Sequence, residues 1–257
     1  MKHLLRVGVL LALSLFAGAQ PRAAEITVAA AADLKFAMDE IVAAFGALND
    51  GIEVRVTYGS SGSFFAQIGN RAPFDLFFSA DIDYPRKLAA AGHSLDAVFA
   101  YAVGRIVVWV PVGSPVDVHK LGMQSLLAAS VRKVAIANPQ HAPYGRAAEA
   151  AMKALGVHAR AQPRLVLGDN VAQTAQFVQS SAADIGIIAL SLAIAPQMRD
   201  SGIWWEVPLD AYPTMEQGGM IVRWTREPEA ARAFRDFVLG RHGREMLKRH
   251  GFFLPAE

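Results

Sequence analysis

The sequence predicts an α/β fold of two lobes, each a mostly parallel sheet flanked by helices, with a ligand cleft between them. Three observations lead there. Short apolar runs alternate with helix-period patterns from residue 25 onward, the order of repeated βα units. A chain of 257 residues with 53% hydrophobic content can fill one large or two modest cores, and is not a disordered polymer. No repeat, low-complexity stretch or flexible tether divides it, so strands have to join the lobes, near 101–105 and 209–218. The expected boundaries are 1–24 for a leader, 25–102 plus 214–257 for the first lobe, and 103–213 for the second.

The leader comes first. Lys2, His3 and Arg6 precede the apolar run Val7–Phe16, and Ala17-Gly18-Ala19 fits a small-x-small cleavage pattern. That run is well short of the ~20 apolar residues that cross a bilayer. It reads as a secretory signal peptide, cleaved after Ala19 or near Ala24, on an exported bacterial protein. Lys2, Arg6 and Arg22 also account for the basic balance. The whole chain has 25 Lys+Arg against 23 Asp+Glu, and without those three the count is 22 against 23. Nothing in that charge calls for nucleic acid. The absence of cysteine excludes disulfides, thiolate metal sites and cysteine nucleophiles.

Residues 25–30 form the first strand. Leu34, Met38, Ile41 and Phe45 recur at helical spacing in the first helix. Residues 53–58 alternate as a second strand, 64–68 make a short helix, 75–79 a third strand and 84–91 a third helix. The β-branched run 104–110 reads as one long strand. A second set follows: strand 131–137, helix 145–155, strand 164–167, a helix with Val171, Ala175 and Val178 on one face, and strands 184–189 and 203–207. Gly218-Gly219 opens a strand over 220–224. Two helices close the chain, with Pro228 in a first turn where its missing N–H costs little.

Ligands of open α/β sheets collect beyond the carboxyl ends of the strands. Helix N-termini there carry unpaired N–H groups and partial positive charge, which makes them anion sites. Four strand-to-helix junctions have this character: Ala31-Ala32-Asp33, Gly59-Ser60-Ser61-Gly62-Ser63, Asn138 to Gly145 with Tyr144, and Asp169-Asn170-Val171. Two fall in each half of the chain. Each also has a structural reading without a ligand: Asp33 and Asn170 are good N-caps, the serines suit a turn, and Tyr144 suits a packed aromatic. Basic residues near the junctions are limited to Lys35, Arg71 and Arg146, none inside a glycine-rich turn. Neutral donors in a dry site hold a compact oxyanion well, at roughly 1.5–3 kcal/mol per hydrogen bond to a charged acceptor.

At these junctions the chain resembles the periplasmic molybdate-binding proteins of ABC importers, within the type II periplasmic solute-binding family. The resemblance runs through nearly the whole chain after the leader. It is strongest over Val28–Met38, Gly59–Ile68, Ala72–Asp81, Asn138–Gly145 and Asp169–Val178. It implies a two-lobed periplasmic binding protein that holds molybdate, and also tungstate, without further cofactor. It further implies a monomer that docks transiently on a membrane ABC permease. Carried over by position, Ser61 offers a hydroxyl and an amide, Tyr144 an amide and, as in some members, a hydroxyl, Val171 an amide, and Ala32 and Asp33 fall at donor positions; Ser60 beside Ser61 completes the expected oxyanion site. A tyrosine ligand of some members aligns with Ala189 here, and Tyr144 stands as its replacement.

Asp33 departs from the family pattern of neutral donors, since a carboxylate facing a dianion in a dry cleft repels it. Three arrangements are open: the side chain turned away as an N-cap, which is favoured; a protonated carboxyl; or a ligand such as hydrogen phosphate that brings its own proton. Phosphate or sulfate is accordingly the alternative ligand. The different-class alternative is a secreted serine hydrolase using Ser61. Against it, Ser63 occupies the last glycine of a G-x-S-x-G elbow. The seven histidines show no metal-site spacing. Asp75 and Asp81 are expected in backbone bonding and helix capping, not as a catalytic pair.

Overall fold

A computed structural model describes residues 23–255, so residues 1–22 of the leader expected over 1–24 lie outside the described residues, while Ala24 already belongs to the first strand. In the first lobe β1 (Ala24–Ala31) leads through a short 3-10 turn, Ala32–Leu34, into α1 (Lys35–Leu48). Ala37, Met38, Ile41 and Phe45 form the buried face of α1. Then follow β2 (Ile52–Gly59), α2 (Ser61–Gly69), β3 (Leu76–Ser79), α3 (Asp83–Ala90) and β4 (Phe99–Gly104).

The chain changes lobe at Arg105. The second lobe holds β5 (Ile106–Pro111), α4 (Val118–Leu121), β6 (Val134–Ala137), α5 (Pro143–Ala154) and α6 (His158–Ala161). It continues with β7 (Leu165–Gly168), α7 (Val171–Gln179), β8 (Ile185–Ala189), α8 (Leu190–Ala193) and β9 (Gly202–Glu206). A second crossing over 207–214 returns the chain to β10 (Met215–Ile221), α9 (Pro228–Leu239) and α10 (Arg241–Arg249).

Strand order is β2-β1-β3-β10-β4 in one sheet and β7-β6-β8-β5-β9 in the other. Each sheet is mixed. β1 runs parallel to β2 and β3, and β6 parallel to β7 and β8. β10 is antiparallel to both its neighbours, as is β5. The reversed strand in each sheet is the one that has just arrived from the other lobe. It enters at the cleft and runs away from it, whereas the strands of the βα units run towards it. The carboxyl ends of β1, β2, β6 and β7 therefore point at the cleft and deliver their helix starts there.

Two expectations about strands are corrected. The run 104–110 is split, because Gly104 ends β4 in one sheet and Ile106 begins β5 in the other; the first sheet thus keeps the chain two residues beyond 102. The strand placed at 220–224 begins earlier, at Met215, with a bulge between Gln217 and Gly218. Phe45, Phe78 and Phe234 meet edge-to-face in the first core, with Phe45 and Phe234 centroids 5.1 Å apart. Trp109, fully buried, anchors the second. Among the described residues no helix is long and apolar enough to cross a membrane.

Candidate functional site

All four predicted junctions line one small cavity between the lobes. Its walls are Ala31, Ala32 and Asp33 after β1, Gly59, Ser60 and Ser61 after β2, Ala142, Pro143 and Tyr144 after β6, Asn170 and Val171 after β7, and Ala80. No lysine or arginine is among them. The space open to the centre of a water-sized sphere is about 10 Å³, so the two lobes are closed on each other.

Local sequence explains how each junction presents donors. Ser60 caps α2, its Oγ accepting from the Ser63 amide at 3.3 Å. Asn170 caps α7, its Oδ1 accepting from Ala172 and Gln173, both at 3.0 Å. Pro143 opens α5 with its fixed φ. Gly145 lets that helix sit on the end of β6, since a Cβ there would lie 2.1 Å from the Ala137 carbonyl oxygen. The caps take the second and third amides of their helices and leave the leading ones. The N–H groups of Ser61, Tyr144 and Val171 have no acceptor among the described residues. Ser61 Oγ, fully buried, accepts from the Ala80 amide at 2.9 Å, so its own proton is left to point elsewhere.

Asp33 is 1% exposed. It is not an N-cap: the turn over Ala32–Leu34 is capped by Ala31 without any side-chain bond. Its Oδ2 accepts from the Tyr144 hydroxyl at 2.9 Å and from Gln217 Nε2 at 2.7 Å, while Oδ1 is buried without a partner. Burial raises its pKa to about 6, against the lowering effect of the Gln217 and Tyr144 hydrogen bonds and of the nearby Asp33 and Leu34 amides. The expectation that the Tyr144 hydroxyl replaces a lost ligand is corrected accordingly. That hydroxyl is turned to Asp33, and what Tyr144 leaves free is its amide.

The lobes touch directly around this centre. The Gly62 amide donates to the His141 carbonyl at 2.9 Å, and Ser60 Oγ lies 2.9 Å from His141 Nδ1. Ser191 Oγ donates to the Asp33 carbonyl at 2.8 Å. Arg146 reaches Asp81 at 2.5 Å and the Tyr84 hydroxyl at 3.0 Å. Asp75 binds the Thr27 amide and the Thr225 hydroxyl, and Asp81 accepts from the Asp83 amide, so both aspartates have local structural bonds.

Ser60 and His141 form a serine–histidine contact, which the linear distance between them concealed. It is not a hydrolase centre: the serine is the helix cap, and no carboxylate among the described residues orients the imidazole. Among the described residues no group of His, Cys, Asp or Glu could hold a metal ion.

Sequence reasoning missed Gln217 and Ser191, and placed His141 near the cleft only as a loop residue. Gln217 carried one usable signal, a lone amide in an apolar strand beside two glycines, and it is fully buried. His141 sat in a recognised junction but in a loop, and nothing local marked Ser191.

These features define an extracellular solute-binding protein, two lobes that close over a small solute. The family model for bacterial extracellular solute-binding proteins matches residues 26–253, and the chain belongs to that family, whose members bind solutes and are not enzymes. More particularly, it is 36% identical over 244 residues to the molybdate-binding protein ModA of Rhodobacter capsulatus, with 94% of each chain covered. It is 34% identical to ModA of Azotobacter vinelandii, with 91% of each covered. The solved periplasmic molybdate-binding protein of Azotobacter vinelandii superposes with a TM-score of 0.83 at 33% identity, over 90% of this chain and all of that one. The sulfate-binding protein SubI of Mycobacterium tuberculosis shares the fold, with a TM-score of 0.70 at 18% identity.

Proposed function

We propose that this protein binds molybdate, and tungstate with it, in the periplasm and hands it as a closed monomer to an ABC permease. The observation that carries the reading is the convergence of free amides from Ser61, Tyr144 and Val171, with the Ser61 hydroxyl, on one cavity with no cationic lining residue. Such donors favour a compact, fully deprotonated oxyanion over a nucleotide, whose phosphates call for more room and more charge. The metal arrives inside the oxyanion, so no resident cofactor is needed. The 36% identity to a molybdate-binding protein supports that ligand. Export through a cleaved leader over 1–24 follows from the charged, apolar and small-residue order of that segment.

A thermal-shift panel of molybdate, tungstate, sulfate, phosphate and chromate tests the ligand. At a hundredfold excess over Kd the stabilisation is about 2.7 kcal/mol, a rise of roughly 5–10 °C for a chain of this size. Molybdate and tungstate are expected to give it, and no shift with either rejects the reading. One observation favours a second ligand: the partnerless Oδ1 of Asp33 suits an oxyanion that carries a proton, so phosphate as the largest shift would install that alternative.

A further inference from the structure

The closed site contains a polar cluster that the oxyanion donors do not use. Asp33, Tyr144 and Gln217 are buried together, with Gln217 Nε2 also 3.2 Å from the Tyr144 hydroxyl. Two of its acceptor atoms, Asp33 Oδ1 and Gln217 Oε1, are buried with no donor. Buried acceptors are ordinarily satisfied, and each exception is destabilising. Among the described residues no donor reaches these two atoms, and no basic side chain is bonded to the cluster.

The surroundings of Asp33 make this specific. α1 brings Lys35 and Asp39, ion-paired with each other at the surface. β2 brings Tyr58, whose hydroxyl donates to Asp39. α7 carries no charged residue, and α8 offers Ser191, which bonds the Asp33 carbonyl. Tyr144 and Tyr101 are the remaining titratable neighbours, and the phenol groups of both are pushed up by burial and by Asp33 itself. Among the described residues no cationic group pairs with the carboxylate, and the cavity beside it is the one proposed for a dianion.

We propose that Asp33 is a proton-loading residue: closing the lobes over the oxyanion places a proton on its carboxyl, so ligand and proton are taken up together. This rests on the oxyanion reading above. The proton comes from solvent, the new O–H bond forms on the carboxyl, and the complex gains one positive charge that partly offsets the dianion. Burial already holds this group at about 6, and an adjacent dianion raises it further. Between those two values the complex binds more protons than the free protein.

Calorimetric titration with molybdate at pH 7.5, in buffers of different ionisation enthalpy, counts the protons directly. Close to one proton taken up per molybdate is expected, with affinity tightening about tenfold per pH unit lowered until the free carboxyl titrates. Asp33→Asn is expected to abolish both the uptake and the slope. His141→Asn is expected to keep both, although His141 brings an imidazole to the closed cleft. Molybdate binding with no proton uptake overturns the inference and leaves the oxyanion reading standing. So does uptake that survives Asp33→Asn and vanishes in His141→Asn. Failure of molybdate to bind at any pH overturns the oxyanion reading itself. The wild-type proton count stands without a variant, so poor folding of Asp33→Asn would not shield the proposal.

Discussion

Closure can be obstructed without touching any proposed ligand donor, by Gly62→Ala. Gly62 is the second residue of α2, and its amide meets the His141 carbonyl across the cleft at 2.9 Å. A Cβ there would lie 2.4 Å from the His141 carbonyl oxygen and 2.9 Å from the Tyr84 hydroxyl, where ordinary contact begins at 3.4 Å. The obstructing atom is backbone, so it cannot rotate away, and the lobes have to part by about 1 Å at that point. A hydrogen bond of ~2.9 Å stretched by that much is lost as a hydrogen bond. The second lobe contributes the Tyr144 and Val171 amides. Losing one such charged bond removes roughly 1.5–3 kcal/mol, a Kd weaker by about 10- to 150-fold, and losing both multiplies the effect. Helix propensity does not oppose the change, because Ala is a better helix former than Gly. Molybdate calorimetry reads the affinity, and small-angle scattering with saturating ligand reads the remaining opening. The ligand-free melting temperature is expected to hold. Affinity within a factor of two of wild type would refute the claim that binding requires the lobes to meet at this distance.

Three further outcomes follow from the same geometry. Ser61→Ala removes a donor to the ligand and strands the Ala80 amide, so Kd should weaken by about 10- to 150-fold and urea stability should fall by about 1–3 kcal/mol; an unchanged Kd would remove Ser61 from the site. Tyr144→Phe leaves Asp33 with Gln217 alone, so molybdate affinity should drop while circular dichroism is unchanged, and unaltered affinity would show that the phenol is only packing. Asp33 has a folded pKa near 6 against 3.8 unfolded, so between those values the folded state binds more protons and stability falls as pH rises through the window. The ionised group therefore costs roughly 3 kcal/mol above pH 6. Asp33→Asn should raise the ligand-free melting temperature at pH 8 and lose that advantage towards pH 4, and an equal shift at both pH values would contradict the assigned burial effect.

The parts of this molecule that could be read from sequence were those with a local cause. The helix face of Met38, Ile41 and Phe45 follows from spacing, and the cap of Asn170 from its place before an apolar helix. The β4 strand was not legible, because Phe99-Ala-Tyr-Ala-Val-Gly104 lacks a β-branched run and becomes a strand only through pairing with β10. The change of sheet at Arg105 was hidden for a related reason: the apolar run continues through it while the partner strands change. At the site, the junctions were visible as turn chemistry, but the side-chain partners were not. Asp33 meets Gln217 across 184 positions and Tyr144 across 111, and no periodicity spans such distances. The N-cap expected of Asp33 was the best local explanation of that residue, and a buried non-local network displaced it.

That network bears on how a site of neutral donors discriminates between ligands. An array of amides attracts any tetrahedral oxyanion, so attraction alone does not separate a large one from a small one. Separation requires that the donors stop at a fixed distance. Here the stops are made by protein against protein: Gly62 against the His141 carbonyl, the Tyr144 hydroxyl against Asp33, and Arg146 against Asp81 and Tyr84. The first of these stops is backbone and the second joins two buried side chains, which yield little under load, while the Arg146–Asp81 pair is partly exposed. Stops of this kind would keep the second lobe from following a smaller anion inward, and sulfate would then leave one lobe's amides too far away to bond. A variant that shortens a stop, such as Tyr144→Phe, should consequently narrow the molybdate-to-sulfate ratio more than a variant that removes a donor, such as Ser61→Ala. Competition titrations with both anions read that ratio, and equal narrowing in the two variants would show that the donors, and not the stops, set the size of the site.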